Sequence, residues 1–594
     1  MNKPEYQKMI ESYANPYKCW IRDTEIHDSV QEPERLKEAV LEKYSLYSCE
    51  DARIDERFWM LAAESDADFV YSDEDIMDSN GRRDPFFKPD MARESLLGMY
   101  FPGAVSLVSK ELEEKLSDTA GQKGSLEYLM ACALKAEKPL HIAEVLVHTS
   151  KSHEYTYSGK SELEFSGKAL VSAVILSKDN PGLLKTCVDT LQRSAELEKQ
   201  QLEIIVIDNG SNDENTAKYE QLAESRNFIY EKHPMKFSYS RLCNIGESKA
   251  HGEYILLLND DIEVPENTRF LRKLLFIASR EQVGAAGIKL LYPDGLHIQH
   301  NGITFLKSGP SHKLCTYPDD RIYGHGINRH VHNCIAATGA CLMVAKYKYD
   351  AVGGFDEAID AAYTDVDLCL ALYRRGWISA VVSETHLIHH ESFTRADDIN
   401  DSSAYERLQK EKAYYENKYA DILEAGDPFY NPNLTKTELD YSVDYELPGA
   451  AFGLSERKDP AFRRYKPLKK QVHIEAESCK YHLSDAWGNE NYFEITGWAF
   501  VEKVPGYTYE AEVILESGEE RLVYNTYRMP REDVSTVFAC FSGLELSGFA
   551  ARIPAGDLKK GLEYRISAAM VKPAVLNKKI YKGYKKETAL TVKY

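Results

Sequence analysis

Three short acidic clusters stand where chemistry could be done. Asp208-Asn209-Gly210-Ser211-Asn212-Asp213 follows the apolar run 203–207 (EIIVI), and Asn259-Asp260-Asp261 follows 254–258 (YILLL). Thr364-Asp365-Val366-Asp367 opens a helical pattern, LCLALYRRG. A carboxylate leaving a buried strand can accept a hydrogen bond from a base or a ribose hydroxyl. Neighbouring carboxylates can hold a hard divalent cation through oxygen, and such a cation can neutralise a diphosphate leaving group. Each cluster alone also has a plain structural explanation: a turn or helix cap for Asp-Asn-Gly-Ser, and an N-cap with dipole-favoured acids for Thr-Asp-x-Asp. Their order within one α/β unit favours chemistry.

That unit begins near Ala169. The runs 171–176 (VSAVIL), 203–207 and 254–258 read as strands buried on both faces. Asn180-Pro181-Gly182 breaks the first strand and opens a helix to about residue 193, and further helices are expected at about 214–225 and 239–250. Alternation of this kind predicts a parallel sheet flanked by helices, with ligands at the carboxyl ends of its strands. Residues 46–150 mix helical patterns with short strands, at 68–72 and 141–147, and 151–167 reads as a polar linker. Residues 421–470 read as irregular. From 472 onward, short alternating strands predict an antiparallel β-sandwich.

The chain has 594 residues, 43% of them hydrophobic and 28% charged, so it reads as several globular domains. It has no run of about 20 apolar residues, and its first residues lack the apolar core of a secretion signal. We therefore expect a cytoplasmic protein, at most peripheral to the inner face of a membrane. The net charge of −21 argues against nucleic acid as a partner. The 11 cysteines form no CxxC pair, so neither a zinc site nor a disulfide framework is expected. No Gly-rich, basic phosphate loop marks a nucleotidyltransferase.

Residues 169–420 resemble a family-2 glycosyltransferase with the GT-A fold, of the bacterial surface-polysaccharide type. The matching segments run in order: VSAVILSKDNPGLLKTCVDTL, EIIVIDNGSND, FSYSRLCNIGESKAHGEYILLLNDDIEV, ATGACLMV, VGGFDE, TDVDLCLALYRRGW and HHESFTR. DPFYNPNL, residues 427–434, resembles a segment that follows this domain in such enzymes. The resemblance implies an α/β, Rossmann-like and mostly parallel sheet over 165–420. Before it come an extension (1–45) and a degenerate, partial GT-A-like region (46–160). After it come a linker (421–470) and the β-sandwich (471–594).

The resemblance also implies roles. Asp208 would contact the donor's pyrimidine base, with Ser177, Asp179, Asn209 and Asn244 on the donor side. Asn259-Asp260-Asp261 occupies the place of the family's DxD motif. Asn259 and Asp260 would then face the donor, and Asp261 would bind Mg²⁺ or Mn²⁺ with His389. Asp365 matches the catalytic base, and Thr338, Gly339, Ala340 and Asp367 would border the donor sugar and the acceptor. Loop 292–335, with His297, His300, His312 and His330, would tune specificity. The implied partners are a UDP- or dTDP-sugar and a lipid-linked glycan or polysaccharide acceptor. The implied reaction is transfer of a hexose or deoxyhexose with inversion. The alternative is a non-catalytic, glycan-binding scaffold of a polysaccharide-assembly complex.

Residues 46–148 resemble the latter half of another GT-A domain. Cys49-Glu50-Asp51 stands where a metal motif would be, and 124–130 (GSLEYLM) stands near the base motif without an aspartate. We expect no catalysis there, only packing or acceptor contact. Ser72–Asp75 (SDED) reads as a solvated acidic turn, and Trp498 reads as a sandwich-core residue.

Overall fold

A computed structural model of the chain describes residues 9–593 apart from 12–14, 27–28, 117–121, 154–163, 391–401, 446–453, 459, 461–462, 466–470, 483–490, 539–540, 542–543 and 573–580. Most of the expected polar linker and residues 391–395 of the HHESFTR motif thus lie outside the described residues. The chain divides into two compact units, 26–442 and 1–25 with 443–594. Among the described residues, no helix is long and apolar enough to cross a membrane.

The first sheet of the larger unit contains β1 (Tyr44–Ser48), β2 (Arg53–Ile54), β3 (Phe69–Asp78), β4 (Gly81–Phe86), β5 (Val105–Ser109) and β6 (Pro139–Thr149). The second contains β7 (Leu170–Ser177), β8 (Gln201–Asp208), β9 (Ile229–Lys232), β10 (Tyr254–Asn259), β11 (Ile262–Glu263), β12 (Val283–Leu291) and β13 (Ile298–His300). After the hairpin β14 (Ile303–Leu306) and β15 (Gly309–His312), it is completed by β16 (His332–Cys334), β17 (Cys341–Ala345) and β18 (Ile378–His389).

Strands β10, β7, β8 and β9 run parallel, in that order. Successive residues of β7 and β10 enter opposite cores. Val171, Ala173, Ile175, Leu256 and Leu258 lie on one face, and Val174, Ile255 and Leu257 on the other. This is why these strands read as continuous apolar runs rather than as alternating ones. The far half of the sheet is mixed: β17 lies antiparallel between β10 and β12, and β12 runs parallel to β18.

Helices α1 (Pro181–Glu198), α2 (Asp213–Arg226) and α3 (Tyr239–Glu247) cover the parallel half. Pro181 opens α1, where its missing N–H costs nothing. The helix outruns the expected end because Leu191, Ser194, Ala195 and Glu198 extend its buried stripe. Buried Glu198 in turn accepts the N–H groups of Phe270, Leu271 and Arg272 at 2.9, 3.0 and 2.8 Å. An anion thereby caps the start of α4 (Leu271–Ala278). Gly246 lets α3 lie directly on the sheet, since a Cβ there would meet Val174 Cγ1 at 2.3 Å.

The first sheet repeats the mixed half of the second, apart from β16, which pairs with β18. Its order β1-β5-β3-β6-β2, with β4 on β3, matches β10-β17-β12-β18-β11, with β13 on β12. Each corresponding pair keeps its sense; β3 and β6 are parallel, like β12 and β18. A backbone bond confirms the residue match: Cys49 N donates to Ala104 O at 2.9 Å, and Asn259 N to Ala340 O at 3.0 Å. Among the described residues, no strand of the first sheet corresponds to β7, β8 or β9.

The expected solvated turn at Ser72–Asp75 is instead part of β3 and buried. Its acids are affordable there because each has cationic or amide partners. Asp73 accepts from His141 at 2.9 Å, Lys88 N at 2.8 Å and Asn431 Nδ2 at 2.8 Å. Glu74 accepts from Lys88 Nζ and Ala104 N, and Asp75 from Arg82 and His148. Asn431 belongs to DPFYNPNL. That segment is irregular, as expected, but it is docked rather than a loose connector. Its Asp427 accepts from Thr304 on β14 at 2.6 Å.

In the smaller unit, Val472–His482, Tyr492–Val501, Gly548–Pro554 and Tyr527–Met529 form one antiparallel sheet. Glu510–Glu516, Arg521–Asn525, Glu563–Val571 and Tyr581–Lys593 form most of another. Ile495, Ala499, Val513, Leu515 and Ile566 share one core. Trp498 departs from expectation. One residue out of phase with Ala499, it lies on the opposite face, near Phe500 and Phe538 at ring separations of 6.0 and 5.6 Å.

Candidate active site

The carboxyl ends of β7, β8 and β10 meet the start of β17, and this corner gathers most of the expected residues. Ser177 is the register partner of Asp208. Its hydroxyl donates to Asp260 at 2.6 Å. Asn259 is joined through Ala340 O to the segment 338–340. Gly339 N donates to Asp365 Oδ2 at 3.0 Å. Asp365 is the second residue of α5 (Thr364–Tyr373), which aims its carboxylate at the mouth of the sheet. Tyr239, on α3, donates its hydroxyl to Gly339 O at 3.2 Å and so fixes this wall from the other side.

Asp261 and His389 form the second wall. Short β11 pairs with the end of β18, setting Ile262 opposite His389. His389 Nε2 lies 3.1 Å from Asp261 Oδ1 and 3.4 Å from Asn259 Nδ2. Its Nδ1 contacts Gln299 Oε1. A carbonyl oxygen only accepts, so the ring proton sits on Nδ1. Nε2 stands 3.1 Å from a carboxylate oxygen, close enough for both atoms to ligate one cation. Adjacent His390 turns to Glu263 at 2.8 Å. Among the described residues, no three His, Cys, Asp or Glu side chains by themselves form a metal-holding group. A cation at Asp261 and His389 would therefore draw its remaining ligands from phosphate oxygens and water, as Mg²⁺ does at phosphate sites. Burial, opposed by the Ser177 hydroxyl and reinforced by the Asp261 charge, pushes Asp260 up to about 7. Asp261, not Asp260, is placed beside His389.

Four expected residues do other work. Asp208 is fully buried. Its Oδ1 accepts from Ser211 N and Oγ at 2.8 and 2.7 Å, and its Oδ2 from the Tyr230 hydroxyl at 2.7 Å. It holds the turn in place and is not open to a base. Asn209 beside it is buried too, with its amide directed at the carbonyls of His233 and Met235. Asn244 spends its side chain on Tyr349, Phe355 and Glu357, which lie along the chain leading to α5. Asp367 is buried against Lys418 at 2.6 Å. On the donor side the exposed carboxylate is Asp179. It stands at φ 55° and accepts from Asn212 and Asn215; the Asn215 amide and then the Asn212 N–H hold it below the usual carboxylate range.

Of His297, His300, His312 and His330 in loop 292–335, His300 reaches the site wall. It is fully buried, and its Nε2 accepts from Thr338 N at 3.4 Å and Gly302 N at 3.3 Å. Sequence reasoning missed Gln299 and Tyr239. Neither carries a local signal, because each acts through a strand or helix end distant in sequence from its partner.

Two predictions arise here. A Cβ on Gly339 would lie 3.0 Å from Tyr239 Oη and 3.4 Å from Asp365 Cβ. Gly339→Ala should displace Asp365 and lower turnover by about 10-fold, with nucleotide affinity unchanged in a titration. The second concerns His332, buried beside the Asn301 and His330 carbonyls and the Ser383 hydroxyl. Burial lowers its pKa to about 4, against about 6.5 in an unfolded chain. The stability this contributes is present above the unfolded value and is lost as pH falls toward 4. The loss should reach roughly 3 kcal/mol. Urea unfolding at pH 7 and pH 4.5 should show it, and His332→Asn should flatten the difference.

The chain is similar to several known proteins. Two relatives are each 29% identical over 64% of this chain: the uncharacterized protein y4gI of Sinorhizobium fredii, over 433 residues, and the O-antigen biosynthesis protein RfbC of Myxococcus xanthus, over 425 residues. The chain spans 47% and 32% of their respective lengths. Among solved structures, Staphylococcus aureus TarS aligns over 70% of this chain and 77% of its own, at 10% identity and a TM-score of 0.30. The family model for glycosyl transferase family 2 matches residues 172–335. The central domain, an α/β sheet whose strand ends carry Asp261 and lead to Asp365, is thus similar to glycosyl transferase family 2 over residues 172–335.

Proposed function

We propose that the chain transfers a hexosyl or deoxyhexosyl group from a UDP- or dTDP-sugar to an acceptor hydroxyl during assembly of a bacterial surface polysaccharide, with inversion and with a divalent metal. The observation that carries this reading is the pairing of walls across one sheet end. Asp261 with His389 stands on one side, and Asp365, anchored on Gly339 N at 3.0 Å, on the other. Both are tied to Asn259, one through His389 and the other through Ala340. The O-antigen role in the name of the Myxococcus relative supports the pathway class. A Mycobacterium tuberculosis relative named N-acetylglucosaminyl-diphospho-decaprenol L-rhamnosyltransferase, 36% identical over 61 residues, supports a lipid-linked acceptor.

In this reading, Ser177, Asp179 and the 208–211 turn form the base side of the donor pocket, with Asp208 as its internal buttress. Asp365 takes the proton of the acceptor hydroxyl as that oxygen attacks the anomeric carbon. Bound beside Asp261 and His389, Mg²⁺ or Mn²⁺ would offset the charge of the departing diphosphate. Thr338 and Gly339 border the sugar. One base acting on one face of attack supports inversion. Among the described residues, the first sheet has no counterparts of β7–β9, and Asp51, at its metal-motif position, is engaged by Ser150 and His153; we assign this region no catalysis.

The test is a panel of UDP-, dTDP- and GDP-sugars with Mg²⁺ or Mn²⁺, read by nucleoside diphosphate release from the purified chain. Slow metal-dependent release from a UDP- or dTDP-sugar, accelerated by a glycan acceptor, is the expected result. Absence of release across the panel would favour the scaffold alternative.

A further inference from the structure

The segment leading into the base helix, 356–363, is clamped from two sides. Helix α3 holds one side: Tyr239 N donates to Asp360 O and Ser240 Oγ to Ile359 O, both at 2.6 Å. The other side is held by α6 (Ser402–Lys418), which lies beyond the residues matched by the family model. Buried Glu411 accepts the N–H groups of Asp360 at 3.0 Å and Ala362 at 2.7 Å. The Tyr415 ring stacks on Tyr363, with centroids 5.1 Å apart and planes 9° apart. Lys418 Nζ bridges Asp356 at 2.7 Å and Asp367 at 2.6 Å. Positions 411, 415 and 418 share one helix face.

These three contacts bracket Asp365. Tyr363, two residues before it, sits at φ 60°, a conformation unfavourable for a bulky side chain. Such backbone persists only where its surroundings over-determine it. Here the Tyr415 stack and the Glu411 carboxylate on the preceding amide do so. Asp367, two residues after Asp365, is a buried carboxylate whose ammonium partner comes from Lys418. Burial of a charge without its partner is costly, so docking of α6 and seating of the first turn of α5 are coupled.

We infer that the stripe Glu411–Tyr415–Lys418 on α6 positions Asp365, making this helix a working part of the catalytic apparatus. The inference rests on the reading of Asp365 as the base. None of the three residues touches the reacting atoms, so they are positioning residues.

Glu411→Gln and Lys418→Met, each in the full chain, test this. Each should lower kcat at least 10-fold while leaving donor KM and nucleoside diphosphate Kd within 2-fold, and Lys418→Arg should recover most of the loss seen in Lys418→Met. Hydrogen–deuterium exchange supplies a readout independent of turnover. Exchange should quicken in 356–367 and stay at the wild-type rate in 201–232. Unchanged protection of 356–367, or a parallel loss of kcat and nucleotide affinity, would overturn the inference. If the wild-type chain turned over no donor, the proposed function would fail, while the exchange data would still decide whether α6 seats the base turn.

Discussion

Asp365→Asn should reduce transfer by roughly 10²–10⁴-fold, the range expected when a general base is lost, and leave nucleotide affinity within about twofold. The substitution keeps the side chain's shape. Asn Oδ1 can still accept the Gly339 amide that now meets Asp365 Oδ2 at 3.0 Å, so the contact to the wall of the site is kept and only the bond from Val366 N, now at 2.9 Å to Oδ1, is lost. What disappears is the capacity to take a proton. Steady-state release of nucleoside diphosphate, measured beside equilibrium binding, separates the two effects. Full activity in the variant would remove Asp365 from the reaction. Equal losses of binding and turnover would mean that it shapes the pocket and does not act on the acceptor.

Asp261→Ala should weaken Mn²⁺-dependent binding of the nucleoside diphosphate by about 100-fold or more, by analogy with the 10–100-fold cost of losing even the outer partners of metal ligands. The metal-independent component should persist, because Ser177, Asp179 and the 208–211 turn are untouched. Asp261 is 2% exposed and faces His389 Nε2 across 3.1 Å. Its removal leaves the imidazole alone at the position where charge would have to be offset. Isothermal titration with and without Mn²⁺ reads this directly. Equal affinity of wild type and variant in both conditions would exclude Asp261 as a ligand. Asp260 supplies the contrast: bonded to Ser177 and pushed up to about 7, it is a poor candidate for the same role.

The arrangement of strands and helices was legible where burial imposed a pattern. β7, β8 and β10 are apolar on both faces, and Pro181 marks the start of α1. The turn residues behind them followed from the rule that ligands sit at the carboxyl ends of parallel strands. Side-chain direction was not legible. Asp208 has the right type and place for a base contact, yet Tyr230, on the next strand, and Ser211 turn its carboxylate inward. Asn244 and Asp367 were drawn away in the same manner by Phe355 and Lys418. Ser72–Asp75 read as solvent-exposed because four polar residues in a row carry no sign of Lys88, His141 or Asn431, the partners that make burial tolerable. The same limit hid Gln299. Its meaning lies in the Nδ1 proton of His389, a contact between two strands far apart in the chain.

The most direct test of the two-walled site is a crystal structure of the chain with UDP or dTDP and Mn²⁺. The ion should bridge the diphosphate to Asp261 and His389, the base should lie along Ser177 and Asp179, and Asp365 should face the open position beyond the β-phosphate. A nucleotide bound elsewhere, or one whose diphosphate lies on the side of the sheet away from Asp261 and Asp365, would contradict the account.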